Sequence, residues 1–360
     1  MPRRPESSEK PLLPLLAEHE QRARTVLDPE VVDYYAAGSG DELTTSEAEQ
    51  AWSRFRLRPH PLRDVHVVET AIELLGARVR TPVVVAPTAF HQLAHPEAEC
   101  ASIAGTGAAG SLFVLSTRAS RPIADIAAAA TGPWWFQVYM MRDRDVTARV
   151  VDDAVRSGAR ALVLTGDTPV LGRKRRVQGL RIAVPDDQFL VNVSPYLRVG
   201  SDGREAAAQD PSITLETIEW LAARSGLPVL VKGVLRGDAA DDCIAAGAAG
   251  VIVSNHGGRQ LDRAIPSALA LAEVVQAVGG RVPVLADGGI RSGVDALVAL
   301  ALGASAVLVG RPVLWALAAA GSDGVCDAVE ALTDDLRHTL ALAGCPDLAS
   351  VTPDLVTRLS

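Results

Sequence analysis

The chain has 360 residues, enough for one α/β barrel or two ordinary domains, and 48% of them are hydrophobic against 22% charged. That balance belongs to a globular protein and not to a disordered one. A formal net charge of −8 offers no basic face, which argues against a nucleic-acid partner.

The opening stretch MPRRPESSEKPLLPLL carries prolines where a signal peptide needs an apolar core, and no apolar run reaches membrane length. Residues 1–12 are therefore expected to form a mobile tail, and residues 13–360 a single domain with no membrane partner. Leu13–Thr25 is expected to be a short helix and Asp28–Ala37 a second one, with Pro29 in its first turn. Tyr34 and Tyr35 precede Gly38-Ser-Gly40, which puts one of them at a helix end facing a cleft. Arg54–Leu75 mixes prolines with β-branched residues and reads as an irregular lead-in with short strands.

From Pro82 a rhythm sets in. Eight apolar runs end in polar or glycine-rich corners: Pro82-VVVAPTA-Phe90, Leu112-FVLSTRA, Trp134-WFQVYM, Ala161-LVLTGDTP, Pro228-VLVKGV, Gly250-VIVSNHGG, Val282-PVLADGG and Ser305-AVLVGRP. Helical spacing fills the gaps, as in Asp143–Ser157, Thr214–Ser225, Asp238–Ala246, Ser267–Val278 and Gly293–Leu302. Ser157-Gly-Ala, Ala246-Gly-Ala and Leu302-Gly-Ala each close a helix ahead of a strand, the mark of a repeated αβ unit. No Gly-x-Gly-x-x-Gly follows the first strand, so a Rossmann half is disfavoured. The fold expected is α/β, a (β/α)8 TIM barrel with an N-terminal helical lead-in. The polar, Pro- and Gly-punctuated segment between Val184 and Ser212 is long for a barrel loop and reads as a mobile lid. The cysteines (Cys100, Cys243, Cys326, Cys345) stand far apart without a Cys-x-x-Cys pair, which fits reduced thiols in a cytoplasmic protein and leaves no metal site.

In such a barrel the polar residues after each strand gather on one face. That face would carry Thr88, Ser116, Gln137, Tyr139, Thr165, Asp167, Lys232, Ser254, His256, Arg259, Asp287, Arg291 and Arg311. The densest cluster is Val251-Ile-Val-Ser-Asn-His-Gly-Gly-Arg-Gln-Leu-Asp262. There His256, a base that is neutral near pH 7, stands three residues from the permanent cation Arg259, a pairing suited to deprotonating an anionic substrate. Asp287-Gly-Gly-Ile-Arg291 and Gly310-Arg311 end the last two strands, where barrels bind phosphate. Lys232 would place a cation deep in the mouth, suited to a cofactor that gains negative charge on reduction.

These residues resemble the FMN-dependent 2-hydroxy acid oxidases and dehydrogenases, the family of glycolate, lactate and mandelate enzymes. The likeness runs from about Leu27 to about Cys345 and is strongest in Ser254-Asn-His-Gly-Gly-Arg-Gln-Leu-Asp262. Ala86-Pro-Thr-Ala89, Gln137-Val-Tyr139, Thr165-Gly-Asp167-Thr-Pro, Leu230-Val-Lys232-Gly, Asp287-Gly-Gly-Ile-Arg291 and Gly310-Arg-Pro312 support it. The resemblance implies His256 as the base, Asp167 as its counter-charge, Tyr139 at the substrate oxygen, and Arg259 with Tyr34 on the carboxylate. It implies FMN as cofactor, with Lys232 beside the flavin pyrimidine, and Pro87, Thr88, Ala89, Ser116, Gln137, Thr165 and Ser254 along the isoalloxazine and ribityl chain. Asp287, Gly288, Gly289, Arg291, Gly310 and Arg311 would hold ribityl and phosphate. A homo-oligomer, a tetramer in the family, is implied as well.

Two positions depart from the family pattern. Lys174 stands seven residues after Asp167 where arginine is usual, which keeps the charge but loses the forked grip. Arg118 stands where an aromatic residue usually faces substrate. Arg118 is expected to contact a substrate bulkier or more polar than glycolate, against the competing arrangement in which it swings to solvent or pairs with a loop acid. The function implied is oxidation of a 2-hydroxy acid to its 2-keto acid, with oxygen the favoured electron acceptor. A dehydrogenase using another acceptor, an FMN-barrel isomerase and a degenerate flavin-binding protein stay open as alternatives.

Overall fold

The structure, a computed structural model, describes residues 12–178 and 184–359. Eight strands, β1 (Val83–Val85), β2 (Phe113–Ser116), β3 (Trp134–Val138), β4 (Leu162–Thr165), β5 (Val229–Val234), β6 (Gly250–Val253), β7 (Val284–Asp287) and β8 (Ala306–Val309), pair in chain order and close into a barrel. Every pairing is parallel, including β8 with β1. Each expected strand is present, and the five quoted helical stretches are helices. The cap glycines Gly158, Gly247 and Gly303 take φ of +97°, +91° and +102°.

The two-residue period of a strand sorts the apolar runs into two cores. Val84, Val114, Trp135, Val163, Leu230, Ile252, Leu285 and Leu308 form an inner cluster, while alternate residues such as Val85, Phe113, Phe136, Leu164, Val253 and Val307 pack outward under the helices. The hairpin Ile72–Leu74/Ala77–Val79 packs Leu74, Ala77 and Val79 against the inner cluster. Its exit at Arg80 donates to the Gly110 carbonyl just ahead of β2, so it plugs the amino end of the barrel. The inner parity continued past each strand leads to Thr88, Ser116, Gln137, Thr165, Asp167, Lys232, Ser254, His256 and Asp287. Parity alone aims them at the barrel mouth.

Three helices precede the barrel: α1 (Leu12–Val26), α2 (Pro29–Ala36) and α3 (Leu43–Trp52). Of the expected tail, residues 1–11 lie outside the described residues, and Leu12 already belongs to α1. Asp28 caps α2 by accepting from the Glu30 amide, with Pro29 in the first turn. The lead-in α3 carries no sequence signal, since its N-cap is Glu42 at φ +64° without a side-chain cap bond. Asp262 starts it instead, accepting from the amides of Asp41 and Thr44 at 2.8 and 3.0 Å. A long helix, Arg311–Ala343, broken at Ala320 and Gly321, packs along α1 and the helix Ala98–Ala108. The expected lid folds into short helices at Asp186–Phe189 and Gly203–Ala206 with a 3-10 turn at Ser194–Tyr196.

Candidate active site

At the carboxyl end of the barrel lies a cavity of about 420 Å³, within the usual range for a small-molecule site. It is lined by Tyr34, Pro87, Thr88, Ala89, Ser116, Arg118, Gln137, Tyr139, Thr165, Lys174, Lys232, His256, Arg259, Asp287, Gly288, Gly289, Arg291, Gly310 and Arg311. Two residues expected there stand one layer back: Asp167 behind His256 and Ser254 behind Lys232.

His256 follows β6 with φ of +60°, a left-handed backbone uncommon for any residue but glycine. Its Nδ1 lies 2.9 Å from Asp167 Oδ1, and its Nε2 lies 3.3 Å from the Tyr139 hydroxyl. A carboxylate only accepts, so Nδ1 carries the proton and Nε2 turns its lone pair to the cavity. Burial pushes the Asp167 carboxyl up, but the charge and hydrogen bond of His256, with help from Lys232 and Thr168, bring it below the ordinary value. Asp167 can approach because Gly233, at a bulge in β5 with φ +105°, has no side chain; a Cβ there would lie 2.5 Å from the Asp167 Cβ.

Three cations face this end of the cavity. Arg259 Nη1 donates to the carbonyls of Tyr34, Tyr35 and Ala37 at the end of α2, and its guanidinium lies 5.3 Å from the Tyr34 ring centroid. In the run Arg173–Arg176, Arg175 and Arg176 pair outward with Asp41 and Glu42, and Lys174 lines the cavity. Burial and the charge of Arg259 lower the Lys174 pKa to about 8. Arg118 neither swings to solvent nor meets an acid: it is 5% exposed, Nη2 donates to the Ala207 carbonyl, and the guanidinium stacks 4.7 Å from the Phe189 ring centroid.

The deeper end holds a buried ion pair and two further arginines. Lys232 Nζ is held between Ser254 Oγ at 2.7 Å and Asp287 Oδ2 at 2.8 Å. Ser116, Gln137 and Thr165 form a chain across β2, β3 and β4, with Ser116 donating to Gln137 Oε1 and Gln137 Nε2 donating to Thr165. Gly288 and Gly289 turn left-handed after β7, and Trp52 of α3 donates to the Gly288 carbonyl at 2.8 Å. Arg311 donates to the carbonyls of Tyr35 and Gly257, and Arg291 lies 3.0 Å from Glu49.

Other residues serve the site without standing out in the sequence. Thr168 Oγ1 lies 3.2 Å from Asp167 Oδ1 and 3.4 Å from His256 Nδ1. Gln260 donates to the carbonyls of Asp167 and Val170 and accepts from the Gly172 amide, which ties the Lys174 loop to the His256 turn. Its place inside the quoted motif was the signal available. Phe189 comes from the segment between Val184 and Ser212 and stacks on Phe90, and nothing in its local sequence marked it.

A model of the family described as FMN-dependent dehydrogenase matches residues 23–358. The chain belongs to the FMN-dependent dehydrogenase family. An L-lactate oxidase from Nostoc sp. (strain PCC 7120) is 40% identical over 93% of this chain and 96% of its own. The human 2-hydroxyacid oxidase 1 is 39% identical over 97% of both chains. A crystal structure of a mandelate oxidase superposes with a TM-score of 0.88, at 41% identity over 95% of this chain and 97% of that one. FMN is the family cofactor, and the deep end of the cavity suits it. Asp287 Oδ1 is buried without a partner, an acceptor waiting for a hydroxyl such as the ribityl chain carries, while Lys232 supplies a fixed cation beside it.

Proposed function

We propose that the protein oxidises a 2-hydroxy acid to the 2-keto acid, with FMN the immediate electron acceptor and oxygen the final one, giving hydrogen peroxide. The observation that carries this reading is His256 Nε2, oriented by Asp167 and facing the same space as the Tyr139 hydroxyl and Arg259. Arg259, Lys174 and Tyr34 hold the substrate carboxylate, and Tyr139 hydrogen-bonds the oxygen on the reacting carbon. That pose sets the substrate hydroxyl within reach of His256 Nε2, which takes the hydroxyl proton, and Asp167 offsets the imidazolium formed. FMN, when bound, would supply the two-electron acceptor for the α-hydrogen that leaves the carbon with its electron pair. Pro87, Thr88, Ala89, Ser116, Gln137 and Thr165 would border its ring and chain, Ser254 would act by holding Lys232, and Lys232 would balance the charge gained on reduction. Asp287, Gly288, Gly289, Arg291, Gly310 and Arg311 take ribityl and phosphate.

Oxygen as the acceptor is supported by the oxidase names of the relatives and by the lack, among the described residues, of any helix long and apolar enough to cross a membrane. The free cysteines fit a reducing compartment such as the cytoplasm. The test is anaerobic bleaching of the FMN-loaded protein by a panel of 2-hydroxy acids, followed by admission of oxygen and a peroxide assay. Failure of every hydroxy acid to bleach a flavin that is bound overturns the reading.

Two further outcomes follow from the geometry. Lys174 is a cation below about pH 8 and neutral above it, so kcat/KM should fall as the pH rises through 8. Lys174→Arg, which stays charged, should remove that limb; an unchanged limb takes Lys174 out of the carboxylate grip. Arg291→Ala should weaken FMN retention about tenfold, the worth of a charge-assisted bond already shared with Glu49, and leave kcat of the reloaded enzyme near normal. Equal FMN affinity in wild type and variant would refute the phosphate role.

A further inference from the structure

Arg118 stands out because its surroundings answer its shape and leave its charge unanswered. It follows β2 on the mouth side and is nearly sealed from solvent, at 5% exposure. One nitrogen, Nη2, donates to the Ala207 carbonyl, and the planar face rests on Phe189. Arg204 also stacks on Phe189, with its guanidinium 4.6 Å from the ring centroid, and is itself tied to Asp186. The other nitrogen, Nη1, is buried without any hydrogen-bond partner. Among the described residues no carboxylate pairs with Arg118, although the surface arginines pair freely. An unpaired buried guanidinium is among the costliest arrangements a site can keep.

The charge count at the cavity gives this a direction. Asp287 is matched by Lys232, while Asp167 faces a His256 that is neutral until it takes the proton. With Arg311 set aside for the phosphate, Arg259, Lys174 and Arg118 face that end, and Asp167 with one substrate carboxylate still falls short of three cations. Arg118 and Arg259 line the same cavity, together with Tyr34 and Tyr139. A neutral polar group would satisfy the vacant N–H but not the charge, and the Ala207 carbonyl already supplies a dipole.

We propose that the substrate is a 2-hydroxy dicarboxylic acid, whose second carboxylate, on the substituent away from the Arg259–Lys174 grip, is received by Nη1 of Arg118. This rests on the 2-hydroxy acid reading and deepens it. Burial lowers the Arg118 pKa only to about 10, so the cation persists at physiological pH.

The test compares acids matched in chain length: malate with 2-hydroxybutyrate, and 2-hydroxyglutarate with 2-hydroxyvalerate. Wild-type holoenzyme should show at least one dicarboxylate ahead of its monocarboxylate partner in anaerobic flavin reduction, by about 10–150-fold in kcat/KM. Arg118→Leu should abolish or reverse that ratio, with folding checked by circular dichroism and FMN loading by flavin absorbance. Arg118→Lys should restore part of the preference. Binding of 2-oxoglutarate against 2-oxovalerate, followed by calorimetry on the holoenzyme, asks the same question without turnover. If no hydroxy acid reduces the flavin but 2-oxoglutarate binds in an Arg118-dependent way, the oxidase reading falls and the dicarboxylate site stands. Equal treatment of mono- and dicarboxylates by wild type, or an Arg118→Leu ratio identical to wild type, overturns the proposal. A neutral polar substituent performing as well as the second carboxylate overturns it too.

Discussion

His256→Gln should leave FMN bound and slow its reduction by about 10²–10⁴-fold, the usual contribution of a positioned general base. Glutamine has a similar reach and keeps a hydrogen bond to the Tyr139 hydroxyl, now 3.3 Å from Nε2, but it accepts no proton. The carboxylate grip proposed for Arg259 and Lys174 is untouched, so the loss should fall on the reduction rate and hardly on substrate affinity. His256→Asn, whose side chain suits the φ of +60°, controls for backbone strain. Anaerobic stopped-flow on both variants reads the rate directly. Reduction at near-normal speed in either would remove His256 from the role of base.

Much of this site was legible because the barrel turns a one-dimensional pattern into a radial one. Val163, Thr165 and Asp167, or Ile252, Ser254 and His256, step by two along the chain, so an apolar inner residue predicts a polar one at the mouth. The strand ends needed no knowledge of contacts. What the sequence hid depends on contacts across long separations. Helix α3 is started by Asp262, 218 residues away from Thr44, and no local capping signal announces it. The Gly233 bulge that admits Asp167 looks like any glycine in a strand until β4 and β5 are laid side by side. Phe189 lies in a polar segment whose helices are only four residues long, below what periodicity can detect. Arg118 was visible as a departure, but its lack of an acid partner is a fact of packing.

Asp167→Asn should slow flavin reduction by about 10²–10⁴-fold as well, for a different reason. Oδ1 accepts from His256 Nδ1 at 2.9 Å, while Oδ2 is buried with no partner, so the residue's contribution is its charge and the tautomer it fixes. An amide placed there has two choices. With its oxygen toward Nδ1 it keeps the tautomer but loses the charge that offsets the imidazolium. With its NH2 toward Nδ1 it forces the proton to Nε2, and the base is gone. Either way the defect runs through His256, so Asp167→Asn with His256→Gln should be no slower than His256→Gln alone. A side chain that merely supported the fold would instead subtract a further factor in the double variant and lower FMN occupancy. Additive losses across the four proteins, measured by single-turnover reduction with occupancy checked by absorbance, would place Asp167 outside the proton-transfer unit; a double variant equal to His256→Gln binds the two residues into one.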